Sequence, residues 1–355
     1  MQSLDEKERD IFEVVGEKGL FSVWKQSVKL SERDLSGTGQ IPVFSSQTSN
    51  NGVMGFTNKV ADFFIKDTPA LIFGDHTKSM DISNHSFCAA DNVKVLRPQN
   101  IPFDALFYVS CAWKKRIPDM GYARHWRKAK KVGIELPVTD SGEPDYAYMA
   151  EYAQQKRNAM LAKYRAYVEA RIAELGEVAE IPALDEKEWK PIFISSMFEL
   201  VRGRENNMAM LEDGDTPLIS AKANNNGLKG FVHNPKKIIA GQCITLNNDG
   251  DGGAGLAYYQ PANMALDSHV TALVPLIDMS AFVMLFIAKC ISGLHGFFGH
   301  GLSISNPRAK RLRIMLPVTD SGEPDYKYME QYSKNMMLRK YQQYLTFLQQ
   351  RSDAR

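Results

Sequence analysis

Cysteine is scarce in this chain. The four present, Cys88, Cys111, Cys243 and Cys290, lie so far apart that no two make a metal-ligating pair. That spacing argues against a disulfide framework or a structural zinc site and fits a reducing cytoplasm, which is the expected location. Long apolar runs are lacking too. The greasiest stretch, "AFVMLFIA" (Ala281–Ala288), stops at Lys289, well short of the roughly 20 residues a bilayer requires. The opening "MQSLDEKERD" is acidic and polar, unlike a secretory signal, so no membrane partner is expected. Nor is there an excess of charge: 43 basic and 41 acidic residues leave a net +2 over 355 positions. Any surface for a polyanion must therefore be local.

Catalytic signatures are missing as well. The chain has no G-x-S-x-G, no Walker A, no H-E-x-x-H and no Asn/Asp-Pro-Pro-aromatic motif of adenine methyltransferases. Its seven histidines are scattered. No catalytic residue, metal ligand or cofactor of this chain is therefore assigned. One segment imitates a site: "GDGGAG" (Gly250–Gly255) satisfies G-x-G-x-x-G. A dinucleotide site needs that turn between a strand and a helix, whereas "LAYYQP" downstream reads as a second strand, so a hairpin turn is expected. "DGDG" (Asp249–Gly252) lacks the later glutamate of a calcium loop. "DEKEWK" (Asp185–Lys190) has an acid–x–lysine spacing that some nucleases use, but it reads as the start of a surface helix.

What the chain does contain is a repeat. The eleven residues "LPVTDSGEPDY" occur at Leu136–Tyr146 and, unchanged, 180 positions later at Leu316–Tyr326. "LDEKE" recurs at the same offset, at Leu4 and Leu184. "IPVFSSQTSNNGVMGFTN" (Ile41–Asn58) is echoed by "TPLISAKANNNGLKGFVHN" (Thr216–Asn234), and "DNVKVLRP" by "SHVTALVP". The offset drifts between these anchors and then returns, which describes one domain duplicated in tandem, its copies differing by insertions and deletions. After each "EPDY" comes a helix-period stripe: Met149, Tyr152, Met160, Tyr164, Tyr167, Val168, Ile172 and Leu175 in the first, and Met329, Tyr332, Met336, Tyr341, Tyr344, Leu345 and Leu348 in the second. Asp145 and Asp325 are placed to cap these helices. The stripes could pack on the parent domains or on each other. The rest of each half reads as short strands with Gly/Asn turns and one apolar helix, near Asp104–Trp113 and Met279–Ile291. The fold class expected is α+β. The expected divisions are 1–145, a helix over 146–176, a linker over 177–184, a second domain over 185–325 and a helix over 326–355.

Charge is segregated within this plan. "WKKRIPDMGYARHWRKAKK" (Trp113–Lys131) carries eight Lys/Arg against one acid, Asp119. Thr216–Asn248 and Met279–Thr319 contain no Asp or Glu at all, while the acids gather at the N-terminus, in the linker and around each "EPD". Such segregation suits a phosphate-tracking surface, with solvated loops as the alternative. Candidate contacts in the first half are His76, Lys78, Lys114, Lys115, Arg116, Arg124, His125, Arg127 and Lys128. In the second half they are Lys222, Asn224, Asn225, Lys229, His300, Ser303, Ser305, Asn306 and Arg308. Asn suits adenine edges, Arg suits guanine, and Ser serves either.

With these residues in view, the chain resembles the DNA specificity subunits of restriction–modification systems over nearly its whole length. The likeness is carried by Trp189 followed by "FELVRGR" (Phe198–Arg204), by "TPLISAKANNNGLKGF" and "LDSHVTALVP", and by the "LPV…GEPDYxYM" boundary into each helix. That boundary is most similar to BcgI-like type IIB subunits; type I subunits more often have Pro-Pro…Glu-Gln there. The resemblance implies two target-recognition domains, each followed by a long spacer helix, with the helices packed antiparallel about a pseudo-two-fold axis. It also implies double-stranded DNA as ligand. Methyltransferase and endonuclease subunits would be the partners, and S-adenosylmethionine and Mg2+ would be bound by them. Two other readings stay open: a protein-interaction scaffold that ignores DNA, and a nucleotide-binding enzyme using the Gly250–Gly255 turn.

Overall fold

A computed structural model of the chain describes residues 7–66, 69–121, 123–207, 210–250, 253–299 and 301–353. The chain falls into two compact units, Met1–Tyr164 and Arg165–Arg355, the division lying inside a long helix.

In the first unit the strands are β1 (Arg9–Phe12), β2 (Phe21–Trp24), β3 (Ile41–Phe44), β4 (Val53–Thr57), β5 (Ala70–Gly74), β6 (Met80–Ser83), β7 (Cys88–Ala89) and β8 (Val93–Pro98). Helices α1 (Phe103–Arg116) and α2 (Trp126–Ala129) follow, then β9 (Ile134–Pro137) and the long α3 (Tyr146–Leu175). One sheet has the order β2-β8-β5-β6 and a second the order β4-β3-β7, with β3 and β7 parallel. Every residue of β5 is buried, as an unbroken apolar run between two neighbours should be. Leu71 and Phe73 on one face meet α1, where Phe73 stacks on Trp113 at 5.4 Å and Phe21 lies on the same indole at 5.8 Å. The buried Trp113 Nε1 donates to the Ala129 carbonyl (3.0 Å), tying α1 to α2. Ile72, Val93 and Val95 on the other face pack against Phe44, Phe63 and Phe87 of the second layer.

The second unit repeats that wiring. Its strands are β10 (Trp189–Phe193), β11 (Phe198–Arg202), β12 (Asp213–Ile219), β13 (Leu228–Val232), β14 (Ile238–Ile239), β15 (Cys243–Asn247), β16 (Ala257–Gln260), β17 (Met264–Leu266), β18 (Val270–Pro275) and β19 (Arg313–Pro317). Its helices are α4 (Ile194–Met197), α5 (Ala281–Ser292), α6 (Asn306–Lys310) and α7 (Tyr326–Asp353). The main sheet has the order β11-β18-β15-β16, strand for strand the plan of β2-β8-β5-β6. The second sheet, β13-β12-β17-β14, repeats β4-β3-β7 with one added strand, and β12 and β17 are again parallel. Ile244, Leu246 and Leu273 meet Val283, Met284 and Ile287 of α5 in the core.

The identical junctions fold identically. β1 pairs antiparallel with β9, and β10 with β19, immediately before each long helix. The Asp145 amide donates to the Pro137 carbonyl and the Asp325 amide to the Pro317 carbonyl, both at 2.9 Å. Each aspartate then caps its helix, accepting the Tyr148 amide at 2.9 Å or the Tyr328 amide at 3.0 Å. Each also pairs with a lysine from the start of its own repeat: Lys7 to Asp145 at 2.7 Å, Lys187 to Asp325 at 2.9 Å. Burial alone would raise both carboxyls, but the lysine and the capped amide outweigh it and hold both below the usual carboxylate range. Gly142 and Gly322, at φ of 81° and 83°, make the turn before the cap, a conformation that a side chain would resist.

Several expectations need correction. Asp185–Lys190 does not begin a helix: a single 3-10 turn at Leu184–Glu186 leads into β10, because β19 offers a strand edge at that point. The first apolar helix runs to Arg116, a turn longer than its apolar residues indicate, so Lys114, Lys115 and Arg116 are helical. Met279 stands outside α5, whose N-cap is Ser280. Within the stripes, Met149, Val168 and Met329 are buried, whereas Met160 is 73% exposed and Met336 37%; the buried Leu338 of α7 lies outside the predicted stripe. In the second unit, the end of α3 meets α7 through a perpendicular Tyr167–Tyr341 pair (6.4 Å). The chain then runs back along α7. The Asn335 carboxamide bonds both the amide and the carbonyl of Ala179 (3.1 and 2.8 Å), and the Tyr328 hydroxyl donates to the Pro182 carbonyl (3.0 Å). Among the described residues, no helix is long and apolar enough to cross a membrane.

Candidate nucleic-acid interface

In the first unit the candidate residues sit on three neighbouring pieces: the β5–β6 turn, the last turn of α1, and the segment that leads through Arg124 into α2. Buried Asp75 stitches the first piece to the third. Its carboxylate accepts the Trp126 amide (2.7 Å) and faces the Arg124 guanidinium (3.7 Å). Its carbonyl accepts the His125 amide (2.8 Å) and lies 3.1 Å from His125 Nδ1. His125 Nε2 accepts the Met120 amide (3.1 Å), so the ring proton sits on Nδ1 and points at Asp75. His125 is only 1% exposed. Its ring joins the two loops instead of facing outward.

The turn itself is held from beneath. Thr77 Oγ1 donates to the Ser46 carbonyl (2.8 Å), and the His76 amide donates to Ser46 Oγ (3.1 Å). Lys78 takes φ of 54° and pairs with Asp119 at 3.0 Å. The Gly121 amide, and then Lys78, keep the Asp119 carboxyl below its ordinary range. Lys78 and Arg124 are thus partly neutralised. Lys114, Lys115, Arg116, Arg127 and Lys128 are exposed and form no ion pair among the described residues. These five cations make the electropositive part of the face. Beneath it, burial raises the Asp81 carboxyl, and nearby Lys114 offsets that only in part.

The second unit assembles the equivalent pieces from different residues. The Ile304 amide donates to the Asn248 carbonyl (2.6 Å), joining the segment before α6 to the β15–β16 turn as His125 joins Asp75. Arg308 donates to the Ser303 carbonyl, and Asn306 Oδ1 accepts Thr271 Oγ1 at 3.5 Å. Ser303 and Ser305 are exposed. Lys222 is half-buried, with Nζ on the Leu228 carbonyl (3.0 Å), while Asn224, Asn225 and Lys229 are exposed. His300 lies outside the described residues. Pro307 in the first turn of α6 helps start that short helix, to which the sequence reading assigned no element. Two other features escaped it. Asp75 carries no motif, and only its burial shows its role. Asn50 and Asn51 are the counterparts of Asn225 and Asn226, a match the repeat already contained.

The glycine-rich segment joins β15 to β16, which pair antiparallel with Leu246 opposite Ala257. It is a hairpin connection with no helix N-terminus after it, so the pyrophosphate site of a dinucleotide fold is not formed. No cluster of three or more His, Cys, Asp or Glu side chains suited to a metal occurs among the described residues.

Comparison with known proteins adds the following. Residues 186–345 match the family model described as the type I restriction modification DNA specificity domain. The chain is 21% identical over 311 residues to the type II restriction enzyme specificity subunit S.BcgI of Heyndrickxia coagulans, covering 86% of this chain and 88% of that one. Among solved structures, it is similar to a type I restriction–modification S subunit from M. genitalium, with 14% identity and a TM-score of 0.47, over all of this chain and 94% of that one. It is also similar to an HsdS subunit from Thermoanaerobacter tengcongensis, with 14% identity and a TM-score of 0.32, over 79% and 75%.

Proposed function

We infer that this chain is a DNA specificity subunit of a restriction–modification system, a non-catalytic protein that recognises a DNA sequence for a larger complex. One observation carries the reading: the unit that matches the specificity-domain model has the same main-sheet strand order as the unit before it. A duplicated reader with different loops suits a target of two unlike halves. The first unit would use Lys114, Lys115, Arg116, Arg127 and Lys128 on phosphates, with His76, Lys78 and Arg124 at base edges and His125 positioning them. The second would use Ser303, Ser305, Asn306 and Arg308, with His300, beside Lys222, Asn224, Asn225 and Lys229. The domain divisions follow the same plan: readers over 1–145 and 185–325, and spacers over 146–176 and 326–355.

The 30 residues of α3 span about 45 Å at 1.5 Å each. That exceeds one turn of B-DNA, about 34 Å. Such a helix can set the gap between two half-sites. Its exposed Met160, and Met336 on α7, offer apolar side chains for methyltransferase and endonuclease subunits to cover. In this reading those subunits bind S-adenosylmethionine and Mg2+, and the complex works in the cytoplasm.

The test is selection of bound duplexes from a random pool, with the methyltransferase subunit present. The expected outcome is a bipartite, asymmetric site with an unread gap. A single continuous site would overturn the reading. Duplex binding that ignores salt would instead favour a scaffold, since phosphate contacts must weaken steeply as salt rises.

A further inference from the structure

The turn joining β3 to β4 and the turn joining β12 to β13 are built alike. Asn50 and Asn51 take φ of 49° and 50°, and Asn225 and Asn226 take 50° and 54°. Two successive non-glycine residues in the left-handed region are uncommon, and such strain persists only where the surroundings enforce it. Here they do. The Gly52 amide donates to the Ser49 carbonyl (2.9 Å) and the Gly227 amide to the Asn224 carbonyl (3.0 Å). The Ser45 amide reaches the Gly52 carbonyl (2.8 Å), as the Ser220 amide reaches that of Gly227 (2.9 Å). Gly52 and Gly227 themselves sit at φ of 77° and 76°, where a Cβ would crowd the Asp81 carboxylate or the Ser220 carbonyl.

The brace beneath each turn has changed its chemistry and kept its place. Gln47 Nε2 donates to the Val53 carbonyl (2.6 Å), and Lys222 Nζ donates to the Leu228 carbonyl (3.0 Å). Each carbonyl belongs to the residue that follows the glycine. The shape has therefore been held while its support was replaced. Each turn also lies beside its unit's candidate face. Gly52 is packed on Asp81, whose carboxyl feels Lys114, and Asn247, next to the Asn248 that receives the Ile304 amide, donates its side-chain amide to the Lys222 carbonyl (3.0 Å) at the start of the second turn. The side chains of Asn50, Asn51, Asn224 and Asn225 are exposed and make no hydrogen bond among the described residues.

A feature that is the same in both units cannot distinguish one half-site from the other. The β5–β6 turn with Arg124–Lys128, and its counterpart with Ser303–Arg308, differ and can do so. What the matched turns touch must be common to both half-sites, and the group that every duplex step shares is the phosphate backbone. Resting on the specificity-subunit reading above, we propose that the two Asn-Asn-Gly turns are a matched pair of phosphate contacts. Their carboxamide and backbone N–H groups set the register of each unit on DNA and carry no base information. Asn225 thereby moves from base edges to backbone, and Asn50, its counterpart in the first unit, joins it.

The test exploits the left-handed geometry, which glycine adopts freely, so that Asn50→Gly and Asn225→Gly remove a carboxamide and keep the turn. In the full-length chain with its methyltransferase subunit, each variant is expected to weaken cognate and random duplexes alike, by about tenfold for a hydrogen bond to a charged group. The double variant should multiply the losses, with thermal midpoint and base preference unchanged. Should glycine alter the midpoint, Asn50→Asp keeps the left-handed tolerance and should weaken every duplex further by repelling phosphate. Unchanged affinity for both duplexes would overturn the proposal, leaving the turns as hairpin geometry alone. A loss confined to the cognate duplex, with preference relaxed in one half-site, would overturn it in favour of base reading. If the unsubstituted complex shows no salt-sensitive duplex binding, the parent reading falls and takes this one with it.

Discussion

The junctions before the two long helices and the loops beside the two candidate faces were copied in the same duplication, yet they have fared differently. At the junctions, lysine–aspartate pair, helix cap, left-handed glycine and tyrosine stacking all recur: Tyr148 lies on Tyr152 at 6.3 Å and Tyr328 on Tyr332 at 6.1 Å. Even the residue that meets the helix is matched in geometry, Tyr108 edge-on to Tyr152 at 5.6 Å and Phe286 edge-on to Tyr332 at 5.5 Å. At the faces only the backbone logic survives. Asp75 and Asn248 both offer a carbonyl to the incoming segment, but a histidine answers in one unit and an isoleucine in the other. Selection for a fixed helix direction preserves side chains. In the proposed reading, distinct targets would preserve only the platform that carries them.

That contrast can be broken in several ways, of which the most severe is a core lesion in one copy. Trp113→Ala should cost about 3–5 kcal/mol. Calorimetry should then show one transition shifted and the other in place; two transitions shifting together would mean that the units do not unfold separately. Next in size is removal of charge from the first face. The triple change Lys114→Ala, Lys115→Ala, Arg116→Ala should weaken binding to every duplex and lower the salt slope by up to about three. An unchanged slope would remove these residues from the interface.

Arg124→Ala should relax base preference in one half-site alone, at about 1–3 kcal/mol. Relaxation in both halves would contradict a division of labour between the units. Smallest, and the sharpest probe of equivalence, are Asp145→Ala and Asp325→Ala, each expected to cost about 1 kcal/mol through loss of a cap. Both carboxyls are depressed in the folded protein. Their contribution is therefore complete above the unfolded carboxylate value and fades as pH falls through the lower folded value. Either variant should flatten the acid limb of a stability–pH curve, and by a similar amount. Unequal flattening would show that the two junctions are not energetically alike.

Much of this was legible in the sequence because it rests on local chemistry or on repetition. The cap at Asp145, the short strands between Gly/Asn turns and the hairpin around Gly250–Gly255 follow from residue type, spacing and turn preference. What escaped was non-local. The strand at Trp189–Phe193 exists because β19 lies opposite it, and nothing within its own charged neighbourhood announces that partner. The inward placement of His125 depends on Asp75, fifty positions earlier, whose burial has no sequence signature. The helix expected near Asp104–Trp113 runs on through Lys114–Arg116, because its continuation past the apolar run is decided by packing, here Trp113 stacked against Phe21 and Phe73.

The sequence by itself determined that there are two copies, that each ends in a capped helix, and that acids are kept away from certain stretches; composition and periodicity are properties of neighbours along the chain. The tertiary structure alone decided which cations remain unpaired, which histidine turns inward, and that two asparagine turns share a shape on different braces. Those outcomes depend on groups brought together from distant positions, where burial and hydrogen-bond geometry select among side chains that the sequence presents as equals.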